Sequence, residues 1–195
     1  LAPSATAGTA TRAPTRAAQA TTVRAYPGAV TAQPTLPAEA APEPEAARRA
    51  TLFLELKREE GSPALSPGRD HFARLVVDLL KERGFLGRTL VLSFDHALLR
   101  TVRSLEPALR SMPLVDTGTD LAALARREEA AWIGARHGLL TAASVEAVHG
   151  AGAKVFAWTA NAPRDQDRLA AVGVDAVGTD DPQALVERWK ERGAR

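Results

Sequence analysis

The chain has 195 residues, a formal net charge of +2 and no cysteine. This length suits one domain of moderate size, and the lack of cysteine excludes a disulfide framework and a thiolate metal site. The charge is nearly balanced and no basic run is interleaved with aromatic residues, so nucleic-acid binding has little support. No apolar run approaches the roughly 18 residues of a membrane span, and no signal sequence is visible. We therefore expect a soluble protein without a membrane span, and a cytoplasmic location is favoured.

Residues 1–50 differ in composition from the rest of the chain. They are rich in alanine, threonine and proline, and their few larger apolar residues follow no period. Such a segment buries too little apolar surface to offset the entropy lost on ordering. We therefore predict that it is disordered or irregular and contributes no strand. Two other interpretations remain open: a tail that binds an acidic partner, or a front that has been truncated or misread.

Residues 51–195 alternate between two kinds of apolar pattern. Short apolar runs without polar alternation, such as residues 155–158, are typical of strands covered on both faces. Longer segments with helical spacing separate them, and this alternation is typical of a parallel α/β sheet. The predicted strands cover residues 51–57, 89–94, 112–115, 131–134, 155–158 and 174–177. The predicted helices lie between residues 70 and 84, 95 and 105, 121 and 127, 142 and 149, 163 and 173, and 182 and 191.

Capping residues mark several of the helix ends. Asp70, Asp95 and Asn161 are each placed to accept a hydrogen bond from the first turn of a helix. Gly173 is placed to end one. The run Thr-Asp-Asp-Pro at residues 179–182 predicts the start of the last helix.

Five short motifs also have distinctive amino-acid sequences. They are Leu-Glu-Leu-Lys at 54–57, Ser-Phe-Asp at 93–95, Trp-Thr-x-Asn at 158–161, Gly-Val-Asp at 173–175 and Thr-Asp-x-Pro at 179–182. In order and spacing they resemble the glycerophosphodiester phosphodiesterase family, over about residues 51–192. The resemblance implies a (β/α)₈ barrel of the TIM type, of which the six strand–helix units found here match the last six. We therefore predict an α/β barrel that is incomplete, with open strand edges that invite self-association.

Glu55 and Lys57 are the first candidates for a site. Both lie near the carboxyl end of the same predicted strand, where barrel enzymes have their active sites. Their spacing of two residues puts both side chains on one face of that strand. A carboxylate suits a hard cation such as Mg²⁺ or Ca²⁺. The resemblance implies that Glu55 binds a divalent metal and that Lys57 contacts the phosphate. A solvated strand-end acid and a surface lysine are the alternatives.

Trp158 and Phe94 are the second pair of candidates. Trp158 ends its strand at the same edge of the predicted barrel, and the resemblance implies that it walls the pocket for the alcohol part of the substrate. Phe94 has a similar position. Core packing is the alternative for both side chains.

The histidines do not match the family pattern. By resemblance two are expected, in a His-Arg-Gly motif and a His-Asp pair, and neither motif is present; the family's Glu-x-Asp pair is also missing. His96 follows the Ser-Phe-Asp strand end and is the only candidate for an acid–base role. A place on the surface of a first helical turn is the alternative for it. The other histidines are His71, His137 and His149.

Two functions follow from these observations. By resemblance the chain hydrolyses small glycerophosphodiesters to an alcohol and glycerol 3-phosphate with a divalent metal, although the missing motifs predict that the chain as written is truncated and inactive. The alternative is a non-catalytic barrel remnant that binds phosphorylated ligands or a partner subunit. A different phosphate-binding barrel has less support, because no glycine-rich phosphate loop is visible.

Overall fold

The computed structural model describes residues 21–25, 50–58 and 67–191. Strands and helices alternate along these residues. The strands are β1 (Thr21–Ala25), β2 (Leu52–Leu56), β3 (Thr89–Ser93), β4 (Arg110–Val115), β5 (Trp132–Arg136), β6 (Lys154–Trp158) and β7 (Ala176–Val177). The α-helices are α1 (Arg69–Glu82), α2 (His96–Leu105), α3 (Leu121–Arg127), α4 (Ala142–Gly150), α5 (Pro163–Val172) and α6 (Pro182–Glu191). Short 3-10 helices cover Leu86–Arg88 and His137–Leu139.

The seven strands form one parallel sheet in sequence order, from β1 to β7. From β2 onward each strand is followed by a helix, and the helices after β2 to β6 lead to the next strand. Parallel neighbours require such crossovers, and crossovers of one hand make the sheet curl in one direction. The predicted α/β architecture is confirmed, and all six predicted strands and six predicted helices are present within a few residues of their expected bounds.

Strand β1 corrects the prediction that residues 1–50 contribute no strand. It pairs in parallel with β2, with Thr21 opposite Leu52 and Arg24 opposite Glu55. The physical reason is local: residues 21–23 are three β-branched residues in a row, which favour extended backbone even within a segment of low-complexity composition. The predicted disorder of residues 1–20 and 26–49 lies outside the described residues.

The inner face of the sheet shows how strongly it curls. The rings of Phe53 on β2 and Phe156 on β6 meet edge to face, with centroids 5.2 Å apart. These strands are four positions apart in the sheet, and four flat spacings of about 4.8 Å would separate them by about 19 Å. The sheet therefore bends back on itself as a barrel wall does. The buried inner layer comprises Phe53, Leu90, Leu92, Met112, Leu114 and Phe156.

Two glycines make room for this inner layer. A Cβ atom on Gly134 of β5 would lie 2.4 Å from Cδ2 of Leu114. A Cβ atom on Gly178, just after β7, would lie 2.8 Å from Cζ of Phe156. Real Cβ atoms do not approach so closely, so glycine at both positions lets the large inner side chains fill the barrel interior.

The helices cover the outer face in two clusters. One lies under α1 and α2 and includes Leu56, Val77, Val91, Leu98 and Val102. The other lies under α3, α4 and α5 and includes Leu124, Ile133, Val148, Val155 and Leu169. Within the described residues, none of the helices combines the length and apolarity needed to cross a bilayer.

The caps were predicted with mixed success. The carboxylate of Asp95 accepts the N–H of Leu98 at 3.0 Å and caps α2, and Gly173 ends α5 in the left-handed region, as predicted. Asp70 does not cap α1. The cap position of helix α1 is Gly68, two residues earlier than expected, so Asp70 falls inside the first turn. A carboxylate there interacts favourably with the helix dipole.

Candidate functional site

A cavity of about 870 Å³ opens at the carboxyl ends of the strands. This is the edge of a parallel barrel sheet at which ligands bind, because loops there are free to vary. Its floor is the apolar inner layer, and its polar groups come from the ends of β2, β6 and β7. Its lining residues are Phe53, Glu55, Lys57, Leu92, Phe94, Leu114, Phe156, Trp158, Thr159, Gly178, Thr179, Asp180 and Pro182.

Strand β2 contributes one acidic and one basic side chain. Glu55 and Lys57 alternate with the outward-facing Leu56, so both enter the cavity. Nζ of Lys57 lies 3.4 Å from Oε1 of Glu55, and the side chains are 38% and 10% exposed. The carboxylate is therefore recessed, while the ammonium stands nearer to solvent.

The described residues supply only part of a metal site. Glu55 is a nearly buried carboxylate, and among the described residues its one polar partner is Lys57. Hard divalent cations take about six oxygen ligands. Within residues 21–25, 50–58 and 67–191 no group of three or more histidine, aspartate or glutamate side chains is placed to hold a metal ion. Glu55 suits such a cation as one ligand, but the described side chains do not complete its coordination.

An aromatic pair forms another part of the wall. The rings of Phe94 and Trp158 meet edge to face, with centroids 5.4 Å apart and an interplanar angle of 87°. Phe94 is 43% exposed, which sets it apart from the buried inner layer. Both side chains line the cavity, so the structure brings all four predicted binding residues to one place.

The loops after β6 and β7 contribute a polar group that the sequence did not single out. Thr159, Thr179 and Asp180 line the cavity. Asn161 lies beside them but does not cap α5, because Ala162 takes the cap position. Its side chain instead ties the two loops together. Oδ1 accepts the N–H of Asp180 at 2.9 Å and the hydroxyl of Thr179 at 3.1 Å, and Nδ2 donates to Oδ2 of Asp180 at 2.6 Å.

Asp180 was missed because it stands in a run that also caps a helix. The capping atom belongs to the next residue, Asp181, which accepts the N–H of Ala184 at 3.0 Å. Asp180 is therefore left to face the cavity. The signal in the sequence was the position of Asp180 three residues after a short apolar strand, at the edge where barrel enzymes have their polar site residues.

No histidine lines the cavity in the part of the chain that the structure describes. His96 lies in the first turn of α2, and its Nε2 is 3.0 Å from the carbonyl oxygen of Leu114. Because a carbonyl only accepts, that nitrogen carries a hydrogen and donates it. The imidazole thereby joins α2 to β4 outside the cavity wall. His149 pairs with Asp175 at 2.8 Å.

Asp95 binds two arginine side chains beside the cavity. Its carboxylate accepts from Nη1 of Arg58 at 2.9 Å and from Nε of Arg69 at 2.8 Å. Burial alone would raise the pKa of Asp95, but hydrogen bonds from Arg69, the Leu98 N–H and Arg58 outweigh it and hold the pKa below its usual value. Since Arg58 directly follows Lys57, this cluster fixes the chain where β2 leaves the barrel.

Comparison with known proteins relates the chain to one family. A family model described as "Glycerophosphoryl diester phosphodiesterase family" matches residues 15–184. A glycerophosphodiester phosphodiesterase from Caldanaerobacter subterraneus subsp. tengcongensis is 30% identical over 119 residues, which cover 60% of this chain and 49% of that protein. The chain thus spans about half the length of this curated relative.

Solved structures give the same picture. A structure from Silicibacter pomeroyi, assigned to the glycerophosphoryl diester phosphodiesterases, is 25% identical with a TM-score of 0.69, over 75% of this chain and 52% of that one. A glycerophosphodiester phosphodiesterase from Parabacteroides distasonis has a TM-score of 0.65 at 20% identity, over 76% of this chain and 62% of that one. An Oleispira antarctica phosphodiesterase, solved with the product sn-glycerol-3-phosphate, has a TM-score of 0.63 at 23% identity, over 72% of this chain and 56% of that one. The last two likenesses show the fold, which is of the TIM-barrel type as predicted.

Proposed function

Because the chain belongs to the glycerophosphoryl diester phosphodiesterase family, we propose that it hydrolyses glycerophosphodiesters to an alcohol and glycerol 3-phosphate. The reaction would take place in the cavity at the carboxyl ends of the strands. The observation that carries the proposal is the convergence of Glu55, Lys57, Phe94 and Trp158 on this one cavity, although they come from three strands. Such a meeting of charged and aromatic groups in a concave site is typical of small-molecule binding.

The charged side of the cavity suits the phosphate. A phosphodiester carries one negative charge, and the ammonium of Lys57 is the exposed cation of the cavity wall among the described residues. The neighbouring carboxylate of Glu55 would repel the same charge. A divalent cation such as Mg²⁺ or Ca²⁺ bound to Glu55 would reverse that repulsion. Members of the family generally depend on a divalent metal, and we propose Glu55 as one of its ligands.

The aromatic side suits the alcohol part of the substrate. The half-exposed ring of Phe94 and the side chain of Trp158 offer apolar surface beside the charged pair. A choline or similar headgroup would pack against these rings, and a cationic headgroup would gain a cation–π attraction. Phe94 and Trp158 would thereby hold the leaving alcohol away from Lys57.

Hydrolysis also requires proton transfers. Water attacks phosphorus, the bond from phosphorus to the alcohol oxygen breaks, and the alcohol oxygen must gain a proton. Among the described residues, the titratable groups of the cavity wall are Glu55, Lys57 and Asp180. These three groups would bind and orient the substrate. The described cavity wall offers no imidazole for the proton transfers.

The experiment is hydrolysis of glycerophosphocholine by the purified chain with Mg²⁺ or Ca²⁺, followed by release of glycerol 3-phosphate. Glu55→Gln and Lys57→Gln should abolish release or lower it at least tenfold, because the first removes the proposed carboxylate ligand of the metal and the second removes the cation beside the phosphate. Glu146→Gln and Lys190→Gln are matched controls on exposed faces of α4 and α6. Equal loss in the controls, or full activity in Glu55→Gln, would contradict the proposal.

A second function is favoured by the absence of histidine from the described cavity wall. On this alternative the chain binds phosphorylated ligands, or a partner at its sheet edge, without turnover. Binding of glycerol 3-phosphate by folded protein that releases no product would support it. Light scattering would show whether the chain self-associates, since an edge-paired assembly has a defined mass.

A further inference from the structure

The geometry points to a further specificity residue: we propose that Asp180, held in place by Asn161, binds hydroxyl groups of the ligand. The inference rests on the proposed function, because it concerns the same cavity. It assigns Asp180 a contact with the ligand and Asn161 a positioning role that acts through Asp180.

The first step is the way in which Asn161 holds Asp180. One amide group makes three hydrogen bonds to the loop after β7: it accepts from the Asp180 N–H, accepts from the Thr179 hydroxyl, and donates to Oδ2 of Asp180. Both the backbone and one carboxylate oxygen of Asp180 are therefore fixed. A side chain held at two points loses little conformational entropy when a ligand binds.

The second step is the rigidity of the elements beneath this contact. The N–H of Gly178 donates to the carbonyl of Ala157 at 2.7 Å, and the N–H of Ala160 donates to the carbonyl of Gly178 at 2.8 Å. The two loops thus leave β6 and β7 as one hydrogen-bonded unit. Asn161 extends that unit by one more set of bonds, as far as the cavity rim.

The third step concerns the atom of Asp180 that remains available. Its Oδ2 is taken by Asn161, whereas Oδ1 accepts no hydrogen bond from the described residues. An ionised carboxylate oxygen is an acceptor only, so it selects ligand groups that donate, such as hydroxyls. The hydroxyl of Thr159 lies in the same part of the wall and can donate or accept, whereas the hydroxyl of Thr179 already donates to Asn161.

The fourth step is the distribution of charge. The ammonium of Lys57 stands at the β2 end of the cavity, and the carboxylate of Asp180 stands at the β7 end. A phosphate beside Asp180 would meet a like charge, and a hydroxyl-bearing carbon chain there would meet an acceptor. The pair of charges therefore orients a ligand that is anionic at one end and polyhydroxylated at the other.

The test compares two ligands that differ only in their hydroxyl groups: glycerol 3-phosphate and n-propyl phosphate. Affinities are measured by titration calorimetry with the full chain in the presence of Mg²⁺ or Ca²⁺. The wild type should bind glycerol 3-phosphate about tenfold more tightly or better, since hydrogen bonds to a charged acceptor have that strength. Asp180→Ala should remove most of this preference while the affinity for n-propyl phosphate stays unchanged or rises.

Two further variants separate a positioning role from general damage. Asn161→Ala should lower the preference by several-fold with n-propyl phosphate affinity intact, whereas a merely structural role would weaken both ligands together. Asp180→Asn keeps an acceptor oxygen and should retain part of the preference. Asp78→Ala, an exposed aspartate on α1, is the matched control and should change neither affinity.

The outcomes distinguish this inference from the proposed function. If the wild type binds both phosphates equally, or if Asp180→Ala keeps the preference, the role of Asp180 is refuted and the phosphate site stands. If the wild type binds neither phosphate, the proposed function fails, and the inference fails with it.

Discussion

Replacing Asp95 by alanine should destabilise the fold far more than removing an ordinary helix cap. The carboxylate of Asp95 accepts the Leu98 N–H at the start of α2 and also binds Arg58 and Arg69. Asp120 offers a matched comparison, because it caps α3 through the Ala123 N–H at 2.9 Å without an arginine partner among the described residues. The difference between the two alanine variants therefore isolates the arginine contacts.

The magnitude follows from the hydrogen bonds that the substitution removes. A helix cap contributes about 1 kcal/mol. Hydrogen bonds to a charged group contribute about 1.5–3 kcal/mol, and the bond from Arg58 counts most because its side chain is only 13% exposed. Arg69 is 41% exposed, so solvent screening leaves it a small share. We expect a loss of about 3 kcal/mol for Asp95→Ala and about 1 kcal/mol for Asp120→Ala.

The assay is thermal unfolding followed by circular dichroism and calorimetry. In a chain of this size each kcal/mol shifts Tm by about 2–4 °C, so Asp95→Ala should melt about 9 °C below the wild type and Asp120→Ala about 3 °C below. Equal shifts in the two variants would refute the reasoning, because they would show that the arginines contribute nothing beyond the cap.

The same contacts predict a dependence on pH. The folded state holds the pKa of Asp95 below its ordinary value of 3.8, so the unfolded state binds the proton first as the pH falls. The contribution of Asp95 to stability is therefore complete at neutral pH and is lost as the pH falls below about 4 through the lower, folded pKa. The gap in Tm between the wild type and Asp95→Ala should narrow over that range.

Three other changes test the packing and the site. Gly178→Ala should cost about 1–3 kcal/mol of stability, because the added Cβ atom would meet a phenylalanine ring of the inner layer. Gly138→Ala should cost far less, because a Cβ atom there meets nothing within 4 Å. Chemical denaturation measures the stability of both variants. Lys57→Met should weaken n-propyl phosphate binding about tenfold, and equal weakening by Lys190→Met would count against a specific contact. His96→Ala should lower Tm through the lost bond to β4 but leave ligand affinity unchanged, as calorimetry would show; a loss of affinity at constant stability would place His96 in the site instead.

The sequence predicted most of the fold because its signals were local. Unalternated apolar runs indicated the strands, and Asp95 and Gly173 indicated helix ends from their own backbone requirements. Strand β1 was not predicted, because its pairing with β2 is a long-range contact and the composition around it is typical of an irregular segment. Propensity alone does not report which short β-branched run will find a partner.

The site residues that share one strand were predicted from the sequence. The contact between the two loops after β6 and β7 was missed. Glu55 and Lys57 share a strand face by spacing, so their common cavity was foreseeable. The bond between Asn161 and Asp180 joins residues 19 positions apart and depends on the curvature of the sheet. Asn161 was expected to cap a helix because local capping is the commonest use of asparagine in such a position.

The edge-to-face contact between Phe53 and Phe156 has a consequence for folding. It joins residues about 100 positions apart, while each outer cluster is built mainly from neighbouring segments. Closing a loop of this length costs conformational entropy, so we expect this contact to form late in folding. The two helical layers can then assemble before the interior closes. All three tryptophans, Trp132, Trp158 and Trp189, lie in the half that begins with β5. Indole fluorescence therefore reports the folding of this half and, through the ring contact of Trp158 with Phe94, the closure itself. A delay of that signal behind the gain of helix would show that the two halves join last.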